Sequence, residues 1–275
     1  MSDAPLAQNR RMAMRAATAA VTLKLLILVV FALNTRFVMD EFWTLQQSYH
    51  LFRDTFVSLW PEKTVLYAAF YKLSALPGWD GARQVLLARG LSAGLAVALA
   101  GVVYATARAM GQGRGQALAA VLVLLSFSTF LERGFRLRSE PLAILFAASA
   151  LWVVLRCGSD RARGILVAGL LSGLAFATTQ KSVYFNVALG SALVIEALAA
   201  RNWREAIRRS VVLLAGWVIA LLAYAILFGG SAAFDVLRLA AVGPLAVATT
   251  AQNYYNGFGE FVAQTLVRNL PLYAA

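Results

Sequence analysis

The apolar positions of this chain gather into seven long runs, at about 17–38, 86–109, 116–131, 141–155, 164–179, 183–199 and 211–228. An α-helix needs about 20 mostly apolar residues to cross the hydrocarbon of a bilayer. The runs therefore predict an all-α fold, a polytopic transmembrane helix bundle of about seven spans. The third to fifth runs are short and extend into flanking residues, so their edges are approximate. Glycines in the second and fifth runs (Gly90, Gly94, Gly101; Gly164, Gly169, Gly173) suit helices that pack backbone to backbone.

Between the first two runs the pattern changes. Residues 36–76 are too polar to cross a membrane, yet Phe42, Leu45, Tyr49, Phe52, Phe56 and Leu59 recur at steps of three and four. That spacing puts one apolar face on a helix, which we expect to lie flat on the membrane surface. After a break at Pro61, Val65, Leu66, Ala69, Phe70, Leu73 and Leu76 repeat the pattern. Two such surface helices would roof the membrane and hold the acidic pair Asp40 and Glu41 near Lys63. The chain then divides into a cytoplasmic N-terminus (1–16), a membrane module (17–228) whose first extracytoplasmic loop is 36–85, and a loop (229–275) that leads toward a further span. The basic start and apolar run at the N-terminus also fit a signal peptide. An uncleaved span is the better reading, because the run is long and ends in no clear small-residue cleavage site.

Composition agrees. Of the 275 residues, 60% are hydrophobic and 14% charged, against roughly 25% charged in a soluble domain. The formal charge of +12 points away from nucleic acid, because the basic residues sit in short loops and form no stripe on a soluble face. With the N-terminus cytoplasmic, Arg10, Arg11, Arg15, Arg108, Arg114, Arg156, Arg161, Arg163, Arg201, Arg204, Arg208 and Arg209 fall inside, as the positive-inside rule prefers. Nearly as many fall outside, among them Arg36, Lys63, Arg138 and Lys181, together with most of the acids. Interleaved acids and bases at the mouth of a bundle suit an anionic lipid headgroup; they also describe an ordinary solvated loop. One cysteine, Cys157, leaves no internal disulfide, and the lone His50 rules out a histidine-rich metal site.

The outer charges form four clusters. Asp40 fits either an N-cap opening the surface helix or a general base for an acceptor hydroxyl. Lys63 fits either a snorkelling interfacial lysine or a point charge for a phosphate oxygen. In ERGFRLRSEPLAIL, Glu140 and Pro141 are ordinary first-turn residues of a helix, yet Arg138 and Glu140 lie close to membrane depth. Lys181 ends the fifth run on the same side, where it is functional only if it faces inward. His50 reads as a solvated histidine on the polar side of the surface helix.

In this order MDEFWTL, PEKTVLYAAFYKL, RSEPLAIL and TTQKS resemble the motifs of the C-type membrane glycosyltransferases, the superfamily of protein O-mannosyltransferases and lipid A aminoarabinose transferases. Three positions depart from the family pattern: Lys63 is followed by Thr-Val rather than Pro-Pro, Glu140 stands where Asp is commoner, and Ser182 replaces a usual Gly. The resemblance implies an inverting glycosyltransferase that takes a sugar from a polyprenyl-phosphate-linked donor to a glycan, lipid or protein acceptor. It implies Asp40 and Glu41 as catalytic carboxylates, Lys63, Arg138 and Lys181 as donor-phosphate ligands and Glu140 as a second acidic motif. No cofactor is expected, although a carboxylate-bound divalent cation serves some relatives. The alanine- and arginine-rich usage suggests a bacterial inner membrane, with the site periplasmic. Two other readings stay open: a non-catalytic subunit that binds lipid phosphate, and a lipid or solute transporter or flippase. Against the transporter, ionisable residues gather at one face, and the span centres lack paired charges.

Overall fold

The structure, a computed structural model, describes residues 4–51, 64–159 and 161–230 with positions 235, 238 and 267. Ten α-helices lie among the described residues: α1 (Ala4–Asn34), α2 (Met39–His50), α3 (Leu66–Tyr71), α4 (Gly81–Ala109), α5 (Arg114–Ser126), α6 (Ser128–Arg133), α7 (Ser139–Cys157), α8 (Ala162–Thr178), α9 (Val183–Ala199) and α10 (Trp203–Gly229). No strand occurs among them, and the expected all-α fold is what forms.

Five helices, α1, α4, α7, α9 and α10, are long and apolar enough to cross a membrane. The two other expected spans are shorter, α5 with 13 residues and α8 with 17. At 1.5 Å per residue they measure about 20 and 26 Å, short of a hydrocarbon core of about 30 Å. The run expected at 116–131 is interrupted because Phe127 takes an extended backbone between α5 and α6. The first span ends at Asn34 rather than near Val38. Of the expected surface helix, α2 forms as far as His50; Phe52, Phe56, Leu59, Pro61 and Lys63 lie outside the described residues. His50 is half-buried, with Nδ1 buried and unpartnered, so it is not the solvated histidine expected from its position.

The helices fall into two compact units. One contains α1, α4 from Arg89 onward, α5 and α6. Leu28, Ala32, Ala96 and Phe135 form one of its apolar clusters, and Ala100, Val121 and Leu125 another. Arg89 is fully buried there. Its guanidinium donates to the carbonyls of Ala32 (3.0 Å), Thr35 (2.7 Å) and Arg36 (3.0 Å), and it lies 5.6 Å from the centre of the Phe135 ring. A helix leaves its last carbonyls without intrahelical partners. Arg89 supplies donors where α1 stops.

The other unit contains α2, α3, α4 up to Ala88, and α7 to α10. Its larger core joins Leu45, Tyr67, Tyr71, Val85, Leu137, Ala177, Leu221 and Tyr224. Helix α8 is its centre, packed most closely on α10 and next on α7. A Cβ at Gly173 would fall 2.7 Å from the Trp217 carbonyl oxygen and 2.7 Å from the Ala220 Cβ, and one at Gly169 would overlap the Leu213 backbone. The two backbones approach because these positions carry no side chain. At the far end of the same helices Arg209, almost fully buried, meets Glu205 (2.9 Å) and Glu196 (3.2 Å), and Ser159 donates to Glu196 (2.6 Å). This staple ties the α7–α8 turn to α9 and α10.

Replacing Gly173 by leucine forces α8 off α10, at a cost of about 1–3 kcal/mol or more. Gly173→Leu should therefore lower the thermal unfolding midpoint of the purified protein in detergent. An unchanged midpoint would mean that the α8–α10 contact is looser than described.

Candidate functional site

The site begins with the two acids at the start of α2. Val38, in extended conformation, is the N-cap. Its amide donates to Glu41 Oε2 (3.1 Å), and its carbonyl accepts from the Glu41 amide (3.0 Å). Asp40 is therefore not the N-cap. It is the second residue of the helix and is exposed, whereas Glu41 is fully buried. Both suit the positive end of the helix dipole, but only Asp40 is open to a reactant.

Helix α2 turns its polar face inward. Glu41, Thr44, Gln47 and Ser48 are buried, while Phe42, Trp43 and Tyr49 are exposed. A buried polar face needs partners, and these partners build the site. Thr44 Oγ1 donates to the Asp40 carbonyl (2.9 Å) and lies 3.3 Å from the Leu137 carbonyl. One hydroxyl thus brings the backbone at Asp40 beside the strap that leads into α7. The Tyr67 hydroxyl donates to Gln47 Oε1. Tyr71 donates to the Arg138 carbonyl (3.2 Å), and Lys72 Nζ to the Leu51 carbonyl (3.1 Å). The Val65 amide donates to the Tyr224 hydroxyl (3.0 Å). Helices α2 and α3 are both seated on residues 137 and 138.

The next residues along carry the charge. Arg138 is the N-cap of α7, and Glu140 and Pro141 occupy its first turn, as their residue types favour. Glu140 also bridges two cations: Oε2 is 3.4 Å from Arg138 Nε, and Oε1 is 3.3 Å from Lys181 Nζ. Lys181 lies in the short 3-10 turn between α8 and α9. That turn is fixed by Ser182, buried, whose hydroxyl donates to the Ala175 carbonyl (3.0 Å). The Lys181 side chain is 73% exposed. Two cations on one carboxylate leave an excess of positive charge at the start of α7, which suits a phosphate oxygen. Burial pushes the Tyr67 phenol well above its ordinary range; its bond to Gln47 opposes this, and the negative charge of Glu140 adds to it. The phenol therefore stays protonated and acts as a donor. Among the described residues, no three His, Cys, Asp or Glu side chains gather as a metal-ligand set.

Of the six residues expected from sequence, Arg138, Glu140 and Lys181 form one ion cluster, and Asp40 and Glu41 open the helix docked beside it. Lys63 lies outside the described residues. Sequence reading missed Thr44, Gln47, Tyr67, Tyr71 and Tyr224. The signal for the first two was present: Glu41, Thr44, Gln47 and Ser48 follow helical spacing as regularly as the apolar set does.

An all-helical chain with several apolar helices and an ion cluster at one end of them has the form of a C-type membrane glycosyltransferase. It belongs to the dolichyl-phosphate-mannose-protein mannosyltransferase family, whose model matches residues 63–228. That stretch contains Lys63, Arg138, Glu140 and Lys181, and lies downstream of Asp40 and Glu41. No curated protein and no solved structure matches the chain.

The ion cluster and the buried hydrogen bonds should separate on mutation. Lys181→Ala removes an exposed partner and should cost at most about 1 kcal/mol. Tyr67→Phe leaves the buried Gln47 oxygen without its donor and should cost about 1–3 kcal/mol. Thermal unfolding of both variants in detergent checks this; an equal loss would mean that Lys181 bears on the fold itself.

Proposed function

We propose that this chain is an inverting membrane glycosyltransferase that moves a sugar from a polyprenyl-phosphate-linked donor to an acceptor at the periplasmic face of a bacterial inner membrane, with its N-terminus in the cytoplasm. The observation that carries the reading is the Arg138–Glu140–Lys181 cluster in a chain of this family. A lipid-borne donor reaches it sideways between helices, its phosphate meeting Arg138, Lys181 and Lys63. Asp40 takes the proton from the acceptor hydroxyl. The acceptor oxygen attacks the anomeric carbon from the side opposite the phosphate, and the carbon–oxygen bond to phosphate breaks. The lipid phosphate leaves with that electron pair, and the cations hold its developing charge. Glu41, buried on the Val38 amide, fixes the start of the helix that presents Asp40. Glu140 sets the spacing of the two cations.

The test is transfer of labelled sugar from a polyprenyl-phosphate-sugar pool in membranes. Asp40→Asn should lower transfer by about 10²–10⁴-fold, the usual contribution of a general base, while lipid binding persists. Lys181→Ala should weaken binding of the donor. Unchanged transfer in Asp40→Asn would remove Asp40 from the mechanism. Lipid binding without transfer by the unaltered chain would make it a binding subunit, and loss of both would overturn the reading.

A further inference from the structure

The turn that joins α9 to α10 carries cations of its own, and its carboxylates do not account for all of them. Glu205 is held by Arg208 (2.5 Å) and Arg209 (2.9 Å), and Glu196 by Arg209 (3.2 Å) and Ser159 (2.6 Å). Arg201 and Arg204, on either side of Asn202 and Trp203, are exposed. Among the described residues no carboxylate pairs with either. The Arg204 guanidinium lies 5.9 Å from the centre of the Trp203 ring, a contact that takes none of its hydrogen-bond donors. The Ser159 bond brings the α7–α8 turn to the same end, adding the exposed Arg161 and Arg163.

Arg201 is the one non-glycine residue with positive φ (54°) among the described residues. Its amide donates to the Leu198 carbonyl (2.8 Å), and the Asn202 amide to the Ala197 carbonyl (2.9 Å). It therefore closes α9 in the left-handed position that glycine normally fills. A side chain is disfavoured there, and a residue held in such a conformation points to function rather than to folding. Just beyond the turn, Trp203, Ile207, Val211 and Leu214 fall on one face of α10, each more than half exposed. From 203 to 214 the helix rises about 17 Å, close to the hydrocarbon depth of one leaflet, half of a core of about 30 Å.

We propose that the α9–α10 turn is a binding site for an anionic phospholipid, with its phosphate on Arg201 and Arg204 and an acyl chain along Trp203, Ile207, Val211 and Leu214. Phosphate oxygens accept charge-assisted bonds from guanidinium groups. The indole sits at headgroup level, where tryptophan is enriched, and the surplus of positive charge attracts an anionic leaflet. A soluble anion matches the arginines but not the stripe, and a zwitterionic lipid brings a cation of its own to the arginines. The site lies at the other end of α9 from Lys181 and does not depend on the glycosyltransferase reading. A lipid bound there stabilises the fold by mass action.

The test uses the full chain in neutral detergent with dioleoylphosphatidylglycerol, dioleoylphosphatidylcholine or inorganic phosphate added, reading lipid affinity by native mass spectrometry and stability by thermal unfolding. The unaltered chain should bind the phosphatidylglycerol more tightly than the phosphatidylcholine and unfold at a higher temperature with it. Arg201→Gly and Arg204→Gln should each bind it about fivefold more weakly, the share of one arginine at an anionic surface, and Arg201→Lys should keep most of the affinity. Without lipid, Arg201→Gly should unfold at the same or a higher temperature, because glycine accepts the positive φ. Arg83→Gln, at an exposed residue paired with Asp80, should bind as the unaltered chain does. Equal affinity for the two lipids, or equal weakening in Arg83→Gln and Arg201→Gly, overturns the site. Stabilisation by inorganic phosphate as large as that by the lipid overturns the assignment to a lipid. Unchanged affinity in Arg201→Gly with a lowered unfolding temperature would assign Arg201 to the fold, and the inference falls.

Discussion

A charge placed in an apolar helix bundle must find a partner within the protein, because neither lipid nor a packed core can solvate it. This constraint governs every strongly placed ion here. Arg89 spends its guanidinium on three carbonyls at the end of α1. Arg209 is held by Glu196 and Glu205 where α9 ends and α10 begins. Glu140 is held by Arg138 and Lys181 at the opposite end of α7 and α8. In the first two the arginine itself is buried, although Glu196 stays largely exposed. The third is different, because its lysine reaches into solvent and its cations outnumber its carboxylate.

That difference separates scaffold from site. Removing one member of a buried ion group leaves its partner charged and unsolvated, which is costly to the fold. An exposed pair contributes little to stability. The exposed Lys181 pair with Glu140 therefore contributes little to the fold compared with the arginine buried at the other end. Glycine-mediated contact between α8 and α10 supplies the rigidity that the ion cluster does not, and it fixes where α8 ends and the Lys181 turn begins.

Much of this was legible in the sequence, and the limits have physical causes. The long apolar runs marked the helices, because burying or immersing 20 residues of backbone leaves a compositional trace that needs no tertiary information. Helix edges were less legible. The end of α1 at Asn34 depends on Arg89, more than 50 positions away, and the break at Phe127 is a backbone choice that a uniformly apolar run conceals. Arg138, Glu140 and Lys181 were identifiable as charges out of place. Their meeting on one carboxylate was not, since residues 140 and 181 are joined only by the fold. Of the apolar stripe expected here, Phe42, Leu45 and Tyr49 lie on α2, with Leu45 buried and the other two exposed, and the polar residues between them proved the informative ones. Thr44 and Gln47 are inconspicuous as residue types and matter through the groups they touch.

The acidic pair at the start of α2 is split in exposure, Glu41 being fully buried and Asp40 exposed. Glu41, one turn before Thr44 and Leu45, is buried with them. Asp40 is one turn before Thr44 as well, and it is exposed as the second residue of the helix, so the pair differs although helical spacing puts both on the inward side. Anchoring by Glu41 holds the first turn through the Val38 amide, and Thr44 ties the Asp40 carbonyl toward Leu137. The exposed Asp40 carboxylate is thus positioned through its own backbone, and it does not cap the helix, because Val38 holds that place.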